Sequence, residues 1–218
     1  MKTELHILET AFRLFLGKGF SEISTNEIIR EAGTTKGGFY YFFKNREDLV
    51  QQVIEMYVKP YYYMPIEEME RVWREKKADV STKTLLWDGF FAPQRFKLYR
   101  EYIHMDMSFR DFYFLLHEGI KKYEAVAGFF AENTEKRKLC LKRILERGRQ
   151  IGDLWIDTNT EECITMILAM QDGILALKVL DDEIDDEQKY QYMQDRICLL
   201  QNQEDSAACS NGGVKNAI

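Results

Sequence analysis

The chain has 218 residues, 45% of them hydrophobic, only three prolines and a formal net charge of −6. That is enough for one sizeable core, or for a small domain joined to a larger one, and it excludes a chain that is basic throughout. Residues 1–50 hold seven Lys/Arg and seven Asp/Glu, so all of the −6 lies in the remaining 168 residues, with 23 basic and 29 acidic. Apolar residues recur at spacings of three and four and strand-like alternation is nearly absent, which predicts an all-α protein. The four cysteines (Cys140, Cys163, Cys198, Cys209) form no C-x-x-C pair and no metal spacing, and read as small buried hydrophobes. The first residues, MKTELHILETAF, contain acids and do not read as a signal peptide, and no apolar run is expected to reach the roughly 20 residues that span a bilayer. A reducing cytoplasm fits this usage.

In chain order, Leu5, Leu8, Phe12, Phe15 and Leu16 trace one face of a first helix that Gly17 and Gly19 should close. His6 beside that face has a structural or solvent role. Ser24 and Glu27 then form an S-x-x-E capping box, with Ile23 and Ile28 placed as a hydrophobic staple. Ile28, Ile29 and Ala32 stripe a short second helix, and Gly33 suits the left-handed turn that ends it. Thr34 or Thr35 can cap a third helix bearing Lys36, Gly37, Gly38, Phe39, Tyr40, Tyr41, Phe42 and Phe43. Asn45 caps a fourth, with Glu47 and Asp48 in its first turn, where the helix dipole favours acids. Helix, Gly-containing turn and helix is the helix-turn-helix plan, whose second helix enters the DNA major groove. Between Gly33 and Arg46 stand Lys36, Lys44 and Arg46 and no acid, a local +3, accompanied by Thr34, Thr35, Tyr40 and Tyr41. That mixture suits phosphate and base-edge contacts.

The run TTKGGFYYFFKNREDLV, preceded by LFLGKGF and STNEIIREAG, resembles the DNA-binding domain of the tetracycline-repressor (TetR) family over roughly residues 5–50. A weaker echo lies in Gly152-Asp153-Leu154-Trp155 and in Asp172-Gly173-Ile174. By that resemblance Thr25 and Asn26 would touch phosphates. Thr35, Lys36, Gly37, Gly38, Tyr40 and Phe42 would face the groove, Lys44 and Arg46 would hold the DNA backbone, and Phe39 and Phe43 would be core. Two residues depart from the family pattern: Gly38 where a side chain often reaches a base, and Phe42 where His is frequent. Adjacent glycines in so short a helix each cost about 1 kcal/mol relative to Ala, which predicts a recognition helix that is loose without DNA.

Beyond the reader, Leu49, Val53, Met56 and Tyr57 continue the fourth helix, which should end just before Pro60. A polar helix over Glu67 to Lys77 carries Trp73. Residues 61–130 hold 17 of the 29 Phe, Tyr and Trp, and Pro93 should break a helix between Phe91 and Phe96. These aromatics read either as a packed core or as the wall of a pocket for an apolar or aromatic ligand, with Trp87, Phe91, Tyr102, Phe109, Tyr113 and His117 as pocket candidates. Asp88, Glu101, Asp106 and Glu118 interleave with them; near aromatic faces they would favour a cation, otherwise they are solvated.

Leu141, Ile144, Leu145, Gly148 and Ile151 mark the apolar face of the next helix, whose basic face (Lys136 to Arg149) reads as solvated rather than as a second DNA surface. From Cys163 to Leu180 only Asp172 and Lys178 are charged. A helix apolar on most sides must be covered on most sides. Met166, Met170, Gly173 and Leu177, with Met193 and Ile197 of a last helix, are the expected dimer surface, giving a four-helix interface between two chains. The tail after Leu200 has little apolar content and should be disordered.

The expected architecture is therefore all-α. A three-helix helix-turn-helix DNA-binding domain spans residues 1–49, a larger helical ligand-binding and dimerisation domain residues 50–202, and a tail residues 203–218. The expected function is a homodimeric, ligand-responsive DNA-binding transcription regulator: a repressor released from double-stranded operator DNA by a small apolar or aromatic molecule, acting without a cofactor or metal. The alternative is a helical interaction or adaptor protein without DNA binding. No nucleophile elbow, H-E-x-x-H, phosphate-binding Gly loop or metal cluster points to an enzyme.

Overall fold

The computed structural model describes residues 2–76, 80–91, 95–154 and 159–180. Its α-helices are α1 (Lys2–Glu22), α2 (Thr25–Glu31), α3 (Lys36–Phe42), α4 (Arg46–Val53), α5 (Lys59–Lys76), α6 (Thr82–Leu86), α7 (Arg95–Ile103), α8 (Phe109–Lys122), α9 (Glu124–Gln150) and α10 (Thr160–Leu180), with π-helical turns at Ile54–Val58 and Trp87–Phe91. The all-α class is as expected. Met193, Ile197 and the 203–218 tail lie outside the described residues.

The chain forms two compact units, Met1–Tyr63 with Arg95–Glu135, and Met64–Gln94 with Lys136–Ile218. In the first, α1 packs on α8, α2 and α4. Its buried face is Ile7, Leu8, Ala11, Phe12 and Phe15, while Leu5, expected on that face, is 44% exposed. One residue of rotation explains this, since Ile7 and Ala11 complete an i, i+4 stripe that leaves Leu5 on the flank. Gly17 stays helical, and the break falls at Gly19 (φ 81, ψ 168). Phe12 stacks on Tyr57 with ring centroids 4.7 Å apart.

The fourth helix does not end before Pro60. It runs through the π turn Ile54–Val58 into α5, which contains both Pro60 and Pro65. The Lys59 N–H reaches back to Ile54 O. A π turn is wider than an α turn and changes the carbonyl register directly before Pro60, the residue with no N–H to place in it. Pro93, where a break was expected, lies outside the described residues.

The aromatic stretch builds a core in the first unit. Tyr61, Phe96, Tyr99 and Phe112 form a mutual cluster with centroids 5.3–6.0 Å apart. The Tyr99 hydroxyl donates to Tyr57 O, and burial pushes its pKa well above the usual range.

In the second unit, Met69, Leu85, Leu86 and Phe90 pack with Leu141, Ile144, Leu145, Ile164 and Ile167. Ile151, expected on the apolar face of α9, is exposed in the turn that follows it. The basic run of α9 is not simply solvated. Arg137 is buried and donates to Gln171 Oε1 (2.5 Å) and Asp172 Oδ1 (2.8 Å), Gln171 Nε2 donates to Phe90 O (2.6 Å), and Arg143 and Arg147 lie over the Trp73 ring. Cys140 and Cys163 are free and buried, and burial pushes the Cys140 thiol up to about 11. The expectation that no apolar run approaches a bilayer's span is overturned. Over an 18-residue window α10 has a mean hydropathy of 1.7, because Asp172 and Lys178 are too few to dilute its Ile, Leu and Met. Length and composition alone do not make it a membrane segment, and its Asp172 is engaged by Arg137.

Candidate nucleic-acid interface

Three short helices are built by three side-chain caps. Ser24 Oγ accepts from Glu27 N (3.1 Å) at α2, Thr35 Oγ1 from Gly38 N (3.0 Å) at α3, and Asn45 Oδ1 from Asp48 N (2.8 Å) at α4. Each satisfies an N–H the helix cannot. Ile23 and Ile28 are both buried, as a staple requires. Lys18, 3.1 Å from Glu27, holds that carboxyl below its usual value, helped by the Ser24 N–H. Between α2 and α3 the chain turns at Gly33 (φ 59), where Gly33 N donates to Arg30 O and Thr34 N to Ile29 O, both 3.1 Å. This left-handed residue lets α3 leave α2 sharply without a Cβ clash.

Two rings anchor α3. Phe39 and Phe43 are fully buried with centroids 5.2 Å apart. The opposite face is open: Thr35, Lys36 and Gly37 are exposed, Tyr40 is 55% exposed and Tyr41 83%. Phe42 is half-buried, its ring edge-on to Tyr41 at 4.9 Å. Thr34 and Gly38 are half-buried, and a Cβ on Gly38 would stand 2.7 Å from Thr34 Oγ1, whereas Gly37 has room for one. Asn26 is exposed and Thr25 half-buried at the start of α2. Lys36 and Lys44 are exposed and make no ion pair among the described residues. Arg46 differs from them. Its guanidinium donates to Phe20 O (2.5 Å) and Tyr123 Oη (2.8 Å) and lies 5.3 Å from the Phe15 ring centroid. It is turned into its own unit, where a guanidinium's fan of donors serves a carbonyl and a phenol at once.

The ligand candidates divide between the units. Phe109, Tyr113 and His117 follow one another along α8, with Phe109 buried and the Tyr113 and His117 rings 4.0 Å apart, while Tyr102 on α7 is exposed. Trp87 is half-buried in the second unit, as part of the π turn that ends at Phe91. A cavity of about 580 Å3 in the first unit is lined by none of them. It lies between α4 and the start of α9, with Lys44, Asp48, Glu55, Tyr123, Glu124 and Phe129 in its wall. The sequence held no signal for it, since its two walls, residues 44–55 and 123–132, are far apart in the chain. Of the dimer candidates, Met166 (40%) and Leu177 (47%) are exposed on α10, as is Gly173, and Met170 is half-buried.

A capped helix, a glycine turn and a second helix with its aromatic face locked inward and its polar face open define a helix-turn-helix DNA-binding domain. Residues 7–53 match the sequence profile of bacterial regulatory proteins of the tetR family. Over 55 residues the chain is 42% identical to the HTH-type transcriptional regulator AcrR of Shigella flexneri, which is 25% of this chain and 26% of that one. It is 20% identical to the HTH-type transcriptional regulator SrpR of Pseudomonas putida over 80% of this chain and 74% of the relative. A crystal structure of a TetR transcription regulator from Haloarcula marismortui superimposes with a TM-score of 0.67 at 17% identity, covering 92% of this chain and 99% of that one. Residues 7–53 are thus a DNA-binding domain of the tetR type, and the fold of the whole chain is that of TetR-family regulators. The chain's match spans only about a quarter of the AcrR relative's length.

Proposed function

We propose that the chain is a homodimeric, cytoplasmic repressor that grips double-stranded operator DNA with two copies of α3 and is released by a small apolar or aromatic effector. One observation carries the DNA-binding part: α3 is fixed by buried Phe39 and Phe43 and leaves Thr35, Lys36, Tyr40 and Tyr41 open on its other side. Lys36 and Lys44 would meet phosphates, the hydroxyls would reach phosphates or base edges, and Gly37 would admit the duplex closely. Thr25, Asn26, Thr34, Gly38 and Phe42 would line the same surface.

What supports the dimer is α10, apolar along its length with only 33% of its most apolar window buried. Met166, Met170, Gly173 and Leu177 would pack on the same residues of a second copy, with Met193 and Ile197 beside them. Two readers on one dimer would bind successive major grooves about 34–36 Å apart. Trp87, Phe91, Tyr102, Phe109, Tyr113 and His117 remain the proposed effector contacts, and an effector that favours another reader spacing would oppose DNA by linkage.

The test is fluorescence anisotropy with duplexes from the DNA flanking the chain's own gene. Wild type should bind as a dimer in sedimentation analysis, and Lys36→Ala or Tyr40→Ala should bind at least tenfold more weakly with unchanged thermal unfolding. Equal binding by both variants would refute the assignment of α3 as the reader.

A further inference from the structure

After Gly19 turns the backbone at the end of α1, the next two peptide N–H groups point at one carboxylate. Phe20 N donates to Glu118 Oε2 (2.9 Å) and Ser21 N to Glu118 Oε1 (2.8 Å). The Ser21 hydroxyl also donates to Oε1, and Lys122, one turn further along α8, lies 3.3 Å from Oε1 and reaches Ser21 Oγ. A Cβ at Gly19 would stand 2.5 Å from Glu118 Oε2, so the carboxylate is seated directly against the glycine. The carbonyl of Phe20 is held from the other side by Arg46, the first residue of α4, whose Nε donates to Tyr123 at the corner between α8 and α9. The Phe20 ring packs on Tyr123 at 5.1 Å, and a Cβ at Gly119 would be 2.9 Å from it. One peptide segment, just ahead of the α2 cap, is thus gripped at its N–H groups by α8 and at its carbonyl by α4.

We infer that Glu118 and Arg46 are positioning residues for DNA binding: they clasp the Phe20–Ser21 peptide between α8 and α4 and so set the angle at which α2 and α3 are presented. Hydrogen bonds with one ionised partner are the stronger kind, and both halves of the clasp have one. The reader's helices are seven and eight residues long, so their placement depends on such fixed points. Burial pushes the Glu118 carboxyl up, but the Ser21 hydroxyl, the Phe20 N–H, Lys122 and the Ser21 N–H outweigh it and hold the group below its usual value. DNA that demands one reader angle would stabilise the clasp, and a shift of α8 that opens the clasp would weaken DNA binding.

The inference rests on α3 being the reader, and the experiment separates the two. Full-length Glu118→Gln, the milder Ser21→Ala, Arg46→Gln and the Glu118→Gln/Arg46→Gln pair are compared with wild type. The readouts are amide exchange at residues 20 and 21, and anisotropy with the same flanking duplex over a salt series. Glu118→Gln removes a negative charge, so bulk electrostatics alone would tighten DNA binding; the clasp requires a loss of tenfold or more with an unchanged salt dependence. Exchange at Phe20 and Ser21 should accelerate, and the double variant should lose less than the product of the single losses. Ser21→Ala should shift both readouts in the same direction by a smaller factor. Wild-type binding together with unchanged or tighter binding by Glu118→Gln overturns the clasp while leaving the reader intact. Failure of wild type to bind any duplex sinks the reader and this coupling with it.

Discussion

Gly19→Ala, paired with Gly17→Ala as its control, tests the reasoning about α1. Gly19 sits at φ 81, ψ 168, a region that only glycine occupies without strain, and a side chain held there costs about 1–3 kcal/mol. The added methyl would also lie 2.5 Å from Glu118 Oε2 and displace the carboxylate from the Phe20 and Ser21 N–H groups. Hydrogen bonds to a charged group are worth about 1.5–3 kcal/mol each, but Glu118 is 26% exposed and water can replace part of the loss, so roughly 1.5 kcal/mol in all is the fair figure. The expected total is a destabilisation of about 2.5–4.5 kcal/mol. Gly17, two residues earlier, is helical with nothing within 4 Å of an added Cβ. Ala there should stabilise by about 0.5–1 kcal/mol through helix propensity. Urea unfolding at one fixed protein concentration reads both, since the proposed dimer would make stability concentration-dependent. A Gly19→Ala midpoint within about 0.5 kcal/mol of wild type would refute the account of both the glycine and the carboxylate seated against it.

The other expectations concern the reader itself. Phe39→Ala empties a fully buried site and should cost about 3–5 kcal/mol, whereas Tyr41→Ala, on an 83% exposed residue, should change stability by no more than about 0.5 kcal/mol and still weaken DNA binding. Thermal unfolding and anisotropy on the same samples separate the two effects. Lys36→Ala and Lys44→Ala should each flatten the log–log salt dependence of DNA affinity by about 1.8, two copies at about 0.9 per phosphate, and Arg46→Gln should leave that slope unchanged. Asp48 is held below its usual value by the Lys44 N–H first and by Gln52 second. A carboxyl with a depressed folded pKa contributes stability that is present above its unfolded value of about 3.9 and is lost as pH falls through the folded value. Asp48→Asn should therefore flatten the loss of melting temperature on acidification below about pH 4, and an unchanged acid limb would count against the Lys44–Asp48 contact.

Most of the reader was legible because local rules decide it. A capping side chain acts on an N–H two or three residues away, so Ser24, Thr35 and Asn45 declare the starts of α2, α3 and α4 within one short window. The same holds for Gly33, whose left-handed turn depends on its own missing Cβ. The course of the chain at Pro60 was not legible, because the π turn that admits it is a property of the preceding five residues' hydrogen-bond register and leaves no compositional mark. The aromatic stretch shows the same boundary from the other side. Its helical spacing was visible, but whether Tyr61, Phe96, Tyr99 and Phe112 meet one another or surround a space depends on segments 35 to 51 residues apart in sequence.

Arg46 shows why charge counted along a sequence overstates charge offered to a partner. Lys36, Lys44 and Arg46 look alike in a segment with no acid, and together they suggested a +3 surface. The structure separates them by what their side chains can reach. Arg46 opens α4 beneath the end of α1, where the Phe20 carbonyl, the Tyr123 hydroxyl and the Phe15 ring converge on its guanidinium. An ammonium could not serve a carbonyl, a phenol and a ring face in one plane, so arginine there answers a structural demand. In the proposed mode of binding Lys36 and Lys44 are the two cations of that segment left open to phosphates, and two such charges would bind weakly unless two readers are linked. On the proposed dimer the second pair of lysines would come from another copy, and the modest charge around α3 would then make the apolar α10 as necessary to DNA recognition as α3 itself.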